Sequence, residues 1–172
     1  MSDFKNNSGV ALVIGGTGGI GYEICKLLAE RGSNIAFTFR NNLQKAKQLS
    51  DEITNLGARS LKKSLDLNDQ EEVNNFIESL SSEGGIHTLA YAAGPVVPQI
   101  HLSKISPSLF SEHLNSEVNA FFNSVIAALP LIRQQQGSIV AVTSAATNKY
   151  PIKDGLSASP KAAIEILIKG LA

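Results

Sequence analysis

The sequence predicts an α/β fold in which a doubly wound parallel β-sheet lies between two layers of helices. Three observations lead to this prediction. Short apolar segments alternate with amphipathic segments along the chain. A glycine cluster separates the first apolar segment, residues 10–14, from the first amphipathic one. The spacing suits repeated strand–helix–strand units, which place their strands parallel to one another.

The apolar segments have the composition of buried strands. Residues 10–14 (VALVI) form a continuous apolar run, which is typical of a strand covered on both faces. Further strands are predicted at residues 35–39 (IAFTF), in a segment that runs up to residues 65–66, and at 86–91 (IHTLAY) and 139–143. The carboxyl ends of such strands meet at one edge of the sheet, where folds of this type bind ligands.

Helices are predicted between these strands. The first follows the glycine cluster and stops at Gly32, and the second begins after Asn42 and ends at Gly57. Asp69 and Glu72 form a capping box at the start of the third. A long helix is predicted over residues 107–133, and its apolar spacing predicts an inward face of Leu114, Val118, Phe121, Phe122, Val125 and Leu129.

The last helical segment contains a proline directly before a lysine. A proline inside a helix costs about 3 kcal/mol, whereas the first helical position tolerates it. We therefore expect this helix to begin with Ser159 as its N-cap and Pro160 as its first helical residue. Lys161 would then lie in the first turn.

Composition excludes several classes of protein. The 172 residues suit one domain spanning 1–172, with 43% apolar and 17% charged residues. Fifteen basic residues balance fifteen acidic ones, so the positive excess that nucleic-acid or anionic-membrane binding requires is absent. One cysteine, Cys25, cannot form an internal disulfide, and His87, His101 and His113 lack the spacing of metal ligands. With a polar N-terminal segment, a cytoplasmic location without membrane insertion is expected.

The glycine cluster has the pattern of a dinucleotide-binding loop. Residues 15–21 read GGTGGIG, which fits both G-x-G-x-x-G and G-x-x-x-G-x-G between a strand and a helix. Glycines here permit a tight turn and let the backbone approach a pyrophosphate at the positive end of the helix. This is the first-crossover loop of a Rossmann-like fold. Its expected cofactor-binding residues are Gly15, Thr17, Gly18, Gly19, Ile20 and Gly21.

The residue after the second strand indicates which dinucleotide is bound. An NAD site has an aspartate or glutamate about twenty residues after the glycine loop, where it contacts the ribose. This chain has Arg40 there, followed by Asn41. A guanidinium binds a phosphate through two parallel hydrogen bonds, so the sequence favours NADP over NAD.

Together these motifs resemble those of the short-chain dehydrogenase/reductase family, and in particular its ketoacyl-reductase-like members. The resemblance extends from about residue 9 to residue 172. It implies that Asp66 and Leu67 hold the adenine and that Ala92, Ala93 and Gly94 line the cofactor site. The stretch YAAG at 91–94 keeps only the last two residues of the family's Asn-Asn-Ala-Gly motif.

The resemblance also implies a catalytic group. Asn119 would hold a water, Ser144 would orient a carbonyl, and Lys161 would hold the nicotinamide ribose and lower the pKa of a tyrosine four residues earlier. That position is occupied by Ser157. The implied reaction is transfer of a hydride between NADPH and a carbonyl or alcohol substrate, of the ketoacyl or small-ketone class.

The missing tyrosine leaves two functions open, because a serine hydroxyl is a much poorer acid than a phenol. The first is a reductase, in which Tyr150 or Tyr91 could replace the acid. The second is a non-catalytic NADP-binding protein or regulatory subunit. Family members also continue beyond this length, so we expect the sheet to be incomplete at its C-terminal edge. A homo-oligomer formed through the helices at 107–133 and 157–171 is expected.

Overall fold

The computed structural model describes residues 3–172, which contain a five-stranded parallel sheet with the strand order β3-β2-β1-β4-β5. The neighbouring strands all pair in parallel, which confirms the predicted α/β fold with a doubly wound sheet. The strands are β1 (Val10–Ile14), β2 (Asn34–Phe39), β3 (Ser60–Ser64), β4 (Ile86–Tyr91) and β5 (Ser138–Ala141).

Helices cover both faces of this sheet. They are α1 (Gly19–Glu30), α2 (Leu43–Asn55), α3 (Gln70–Ser79), α4 (Pro107–Leu114), α5 (Ala120–Gln134) and α6 (Gly155–Leu171). Side chains of β1 alternate between the faces, as the pleat of a strand requires. Leu12 and Ile14 join one apolar core with Phe121, whereas Ala11 and Val13 join the other with residues of α1 and α2.

The last helix begins earlier than predicted. α6 starts at Gly155 with Asp154 as its N-cap, so the expected start at Ser159 is wrong, and Pro160 lies inside the helix. Contacts distant in sequence hold this first turn. Ile100 forms a parallel β-bridge with Asp154, and Gln99 donates a side-chain hydrogen bond to the Asp154 carboxylate at 3.3 Å. Lys161 therefore lies in the second turn of α6.

The long helix predicted over residues 107–133 is interrupted by a π turn. The segment Asn115–Asn119 is π-helical and joins α4 to α5. A π turn contains one residue more than an α turn, so the residues before it rotate by one position. As a result His113 and Glu117 are buried in place of the predicted Leu114 and Val118. Phe121 and Val125 are buried as predicted, but Phe122 is 48% exposed.

The hydropathy of the helices bears on membrane insertion. Within residues 3–172, none of the helices combines the length and the apolar character needed to cross a bilayer.

Candidate active site

A pocket of about 310 Å³ opens at the carboxyl edge of the sheet. It lies where the strand order reverses between β1 and β4, which is the usual ligand position in sheets of this type. The structure brings together at this pocket most of the residues predicted to bind a cofactor, namely Gly15, Thr17, Gly18, Arg40, Asp66, Leu67, Ala92, Ala93 and Gly94. Gly19, Ile20, Gly21, Asn41 and Lys161, which were also predicted to bind the cofactor, do not line it.

The glycine loop makes the tight turn from β1 into α1. Gly15 has φ +86°, and a Cβ there would lie 2.8 Å from the backbone nitrogen of Ala93. The Gly15 amide donates to the Thr38 hydroxyl at 3.1 Å, which ties the loop to β2. A Cβ on Gly21 would overlap the carbonyl oxygen of Gly15. Packing within the chain therefore accounts for these two glycines.

Gly19 has a different environment. Apart from its chain neighbours and the backbone of its own helix, a Cβ at this position would meet no atom of the described residues within 4 Å. Gly19 is the first residue of α1, and the preceding Gly18 is an N-cap without a side chain, so no side chain caps this end of the described helix. The free amides and positive end of α1 therefore face open space that an anionic ligand could occupy.

The β2 side of the pocket combines a cation and a carboxylate. Arg40 follows β2 and is exposed, and its carbonyl accepts a hydrogen bond from the Ser64 hydroxyl at 2.7 Å. The Asp66 carboxylate accepts from the backbone amide of Asn68 at 3.0 Å. The Leu67 carbonyl accepts from the Asn123 side chain at 3.1 Å, which fastens this loop to α5.

A buried ion pair that the sequence did not predict lies next to the β4 side of the pocket, although neither of its residues lines the pocket. The Lys161 ammonium contacts the Glu117 carboxylate, and the side chains are 13% and 2% exposed. Gly94, which lines the pocket, lies against both groups. A Cβ on this glycine would be 3.3 Å from Glu117 Oε1 and 3.9 Å from Lys161 Nζ. No local sequence signal pointed to Glu117, because the segment around it contains other polar residues, among them Glu112 and Asn115.

Tyr91 supports the π turn that carries Glu117. Its hydroxyl donates to the Glu117 carbonyl at 3.2 Å, and its ring packs edge-on against Phe121. Burial, reinforced by the negative charge of Glu117, raises the pKa of Tyr91 well above its usual value. The buried phenol thus has a structural partner for its proton, which argues against Tyr91 as the replacement acid.

The structure does not bring Asn119 into this group. Its side chain is exposed and donates to the Asn115 side chain at 3.0 Å, one turn earlier. Glu117, two residues before it, is the residue of this helical segment that reaches Lys161. The π turn directs Glu117 inward and leaves Asn119 at the surface, so the predicted grouping of Asn119 with Lys161 is not present.

The remaining predicted residues lie on two elements that pack together. Ser144 precedes a short 3₁₀ turn, and its hydroxyl oxygen accepts from the Ala146 amide at 3.1 Å. This turn contacts α6 through Thr147, whose hydroxyl donates to Glu165 at 2.9 Å. Ser157 is half-buried and lies one helical turn before Lys161, so the two share a face of α6.

Tyr150 lies in the loop before α6. It is 51% exposed. Its hydroxyl would be 3.2 Å from a Cβ on Gly155, the first residue of the helix. The Tyr150 hydroxyl therefore lies close to Gly155, which precedes Ser157 by two residues.

Comparison with known sequences identifies the family to which the chain is similar. A sequence model of the short chain dehydrogenase family matches residues 9–172. The 3-oxoacyl-[acyl-carrier-protein] reductase FabG of Staphylococcus aureus strain Mu50 is 29% identical over 136 residues, which cover 78% of this chain and 55% of that protein. An NADPH-dependent aldehyde reductase-like chloroplastic protein of Arabidopsis thaliana is 28% identical over 177 residues, covering 95% of this chain and 65% of that protein. The chain thus spans about half the length of FabG.

Solved structures show the same architecture. A putative short chain dehydrogenase from Escherichia coli CFT073 superposes with a TM-score of 0.90 at 25% identity, covering 100% of this chain and 77% of that one. An NAD⁺-bound xylitol dehydrogenase superposes with a TM-score of 0.90 at 26% identity, covering 98% and 65% of the two chains. Because the family match covers nearly the whole sequence and the pocket lies at the expected switch point, this chain belongs to the short-chain dehydrogenase/reductase family.

Proposed function

We propose that this chain binds NADP(H) in the pocket at the carboxyl edge of the sheet. We propose further that the protein containing it is a carbonyl reductase of the ketoacyl or small-ketone class. The observation that carries this proposal is the lining of the pocket, which combines Gly15, Thr17 and Gly18 of the glycine loop with Arg40 after β2. Gly18, the N-cap of α1, lines the pocket, so the free amides at the start of this helix would bind the pyrophosphate, and the neighbouring Gly19 has no side chain to obstruct a ligand.

Each side of the pocket then has a binding role. Arg40 would bind the 2′-phosphate of NADP, and Asp66 with Leu67 would border the adenine. Gly94 and the Glu117–Lys161 pair would face the nicotinamide half, because they lie across β1 from Arg40. A bound nicotinamide supplies or accepts the hydride. Ser144 would orient the substrate carbonyl, and Ser157 occupies the position expected of the proton donor.

The substrate class is supported by the relatives. FabG of Staphylococcus aureus is a 3-oxoacyl reductase by name, and the Arabidopsis relative is described as NADPH-dependent aldehyde reductase-like. Both descriptions involve reduction of a carbonyl group. We propose the same reaction type for the protein that contains this chain, acting as a homo-oligomer in the cytoplasm.

Ser157 motivates a second candidate function, nucleotide binding without turnover. A general acid contributes typically about 10²–10⁴-fold to the rate of such a reaction, and an aliphatic alcohol does not replace a phenol in this role. Among the described tyrosines, Tyr22 is hydrogen-bonded to Glu52 between α1 and α2, and Tyr91 is buried. Tyr150 is therefore the phenol that could reach a substrate from solvent.

Two measurements test the proposal. In fluorescence titrations, Arg40→Ala should weaken NADPH binding at least tenfold and leave NADH binding unchanged, because only NADPH carries the 2′-phosphate. Arg59→Ala, which removes an exposed arginine paired with Glu83, serves as the control. Equal loss of both nucleotides in Arg40→Ala would contradict the NADP assignment.

The second measurement is NADPH consumption across a panel of ketones and 3-oxoacyl thioesters. Turnover by the wild-type chain that disappears in Tyr150→Phe would support a reductase with a relocated acid. A silent wild-type chain whose Ser157→Tyr variant gains turnover would support the second candidate. Failure of the wild-type chain to bind either nucleotide would overturn both.

A further inference from the structure

The Glu117–Lys161 pair places two opposite charges inside the protein at the β4 side of the pocket. Both side chains are largely removed from water, at 2% and 13% exposure, so their fields are weakly screened there. The chain supplies this arrangement through two separate elements, the π turn and α6. The Tyr91 hydroxyl holds the π turn in place by donating a hydrogen bond to the Glu117 carbonyl. The position of the carboxylate is thus fixed by the fold.

The net charge of the Glu117–Lys161 pair affects nucleotide binding because the two redox states of nicotinamide differ in charge. The oxidised ring is a cation and the reduced ring is neutral. Lys161 alone would place an uncompensated positive charge at this side of the pocket, and that charge would repel only the oxidised ring. Glu117 brings the sum of the two side-chain charges to zero and removes this repulsion.

We propose that Glu117 sets the redox preference of the nucleotide site, favouring the oxidised nucleotide relative to a site with a neutral residue at this position. The inference rests on the NADP(H) binding proposed above and assigns a specificity role to a residue that lies next to Gly94 in the lining of that pocket. By linkage, tighter relative binding of the oxidised nucleotide shifts the bound equilibrium toward nucleotide oxidation and carbonyl reduction. Glu117 would therefore assist the proposed reaction in the reductive direction.

The test is a pair of binding titrations that do not require turnover. NADPH binding is followed by its fluorescence, and NADP⁺ binding by competition with NADPH. In Glu117→Gln the ratio of the dissociation constants, NADP⁺ over NADPH, should rise about tenfold. This is the order that Coulomb's law gives for one added charge at about 10 Å and an effective dielectric constant of about 20.

Two further variants separate local charge from other effects. Glu117→Gln combined with Lys161→Met restores a neutral pair of side chains, so its ratio should return to the wild-type value. Glu112→Gln removes the same charge from an exposed position of α4 and should leave the ratio unchanged. A rise of equal size in Glu112→Gln would show that net charge, rather than the buried pair, is responsible, and would overturn the inference.

The outcomes distinguish this inference from the proposed function. If the wild-type chain binds neither nucleotide, the proposed function fails. If it binds both and a folded Glu117→Gln variant keeps the wild-type ratio, only the role of Glu117 is overturned. If circular dichroism shows that Glu117→Gln is unfolded, Lys161→Gln is titrated instead. Lys161→Gln leaves the Glu117 carboxylate without its cationic partner. A lower ratio of the NADP⁺ to the NADPH dissociation constant then supports the inference, and an equal or higher ratio overturns it.

Discussion

At the scale of single residues, Gly19 differs from the other glycines of the loop because packing within the chain does not require it to be a glycine. Gly15 and Gly21 are required by the chain itself, because a Cβ on either would overlap neighbouring backbone. Gly19 meets no such restriction within the described residues. A glycine that packing does not require, at the start of a helix, is expected where a ligand approaches the backbone closely.

We therefore expect Gly19→Ala to fold normally and to lose at least tenfold in NADPH affinity, because the added methyl group occupies the space of the pyrophosphate. Thermal unfolding and fluorescence titration measure the two effects separately. Gly170→Ala, which alters a helical glycine that also has open space around it, should leave NADPH affinity unchanged. Unchanged NADPH affinity in Gly19→Ala would contradict the proposed phosphate position.

His87 is a second residue whose environment predicts behaviour in solution. It is buried, with Nε2 3.1 Å from the Ser33 hydroxyl and Nδ1 3.0 Å from the Thr88 hydroxyl, and Phe4 stacks on its ring. Burial lowers the pKa of His87 below that of a free histidine, because the charged imidazolium loses its hydration. The folded state therefore binds this proton less readily than the unfolded state does.

The free energy of unfolding should consequently fall as the pH falls. A histidine in the unfolded chain has a pKa of about 6.5, so the contribution of His87 is present above that pH. It is lost as the pH decreases toward the lower pKa of the folded state. Urea unfolding between pH 8 and pH 5 measures this slope. The slope should be smaller in His87→Gln and unchanged in His101→Gln, which alters an exposed histidine.

At the scale of elements, α6 illustrates how distant contacts override local preference. Pro160 lacks the amide that would donate to the carbonyl of Leu156, and it lies inside the helix rather than at its first position. The turn before it is nevertheless helical, since Asp154 is held by the bridge to Ile100 and accepts from the Ala158 amide at 2.8 Å. This early start places Ser157 and Lys161 on one face.

Pro160→Ala should therefore stabilise the chain, by up to about 3 kcal/mol, because it restores a hydrogen bond to Leu156 and removes the clash with the preceding turn. The midpoint of urea unfolding measures the change. Pro107→Ala is the matched control, because Pro107 occupies the first turn of α4, where its missing amide has no partner in any case. A lower midpoint in Pro160→Ala would show that packing of the buried proline ring outweighs the helical bond.

At the scale of the whole molecule, large apolar side chains are exposed on β5 and on α5 of the described chain. Val140 on β5, which pairs with β4, is 56% exposed. Phe122 and Ile126, one turn apart on α5, are 48% and 42% exposed. Such adjacent apolar side chains favour contact with another chain, which is consistent with the proposed homo-oligomer.

We expect Phe122→Lys to shift the chain toward a monomer in light scattering coupled to size-exclusion chromatography, because a charge at this position opposes burial against a second copy. Ile152→Lys introduces the same charge at a 75% exposed loop residue and should leave the mass unchanged. A Phe122→Lys variant that keeps the wild-type oligomeric mass would exclude this helix face as the contact surface.

Local pattern was sufficient to predict the α/β fold, the glycine loop and the position of Arg40. Strand runs and glycine spacing are properties of a few consecutive residues, so they can be recognised without knowledge of distant contacts. The pairing of Glu117 with Lys161 depends on the π turn, and the start of α6 depends on Ile100 and the segment around it. Neither is encoded in a short window, because each joins segments far apart in the chain. Hydrophobic periodicity therefore identified the layers of the fold, whereas the charge at the β4 side of the pocket arose only when two distant helical segments packed together.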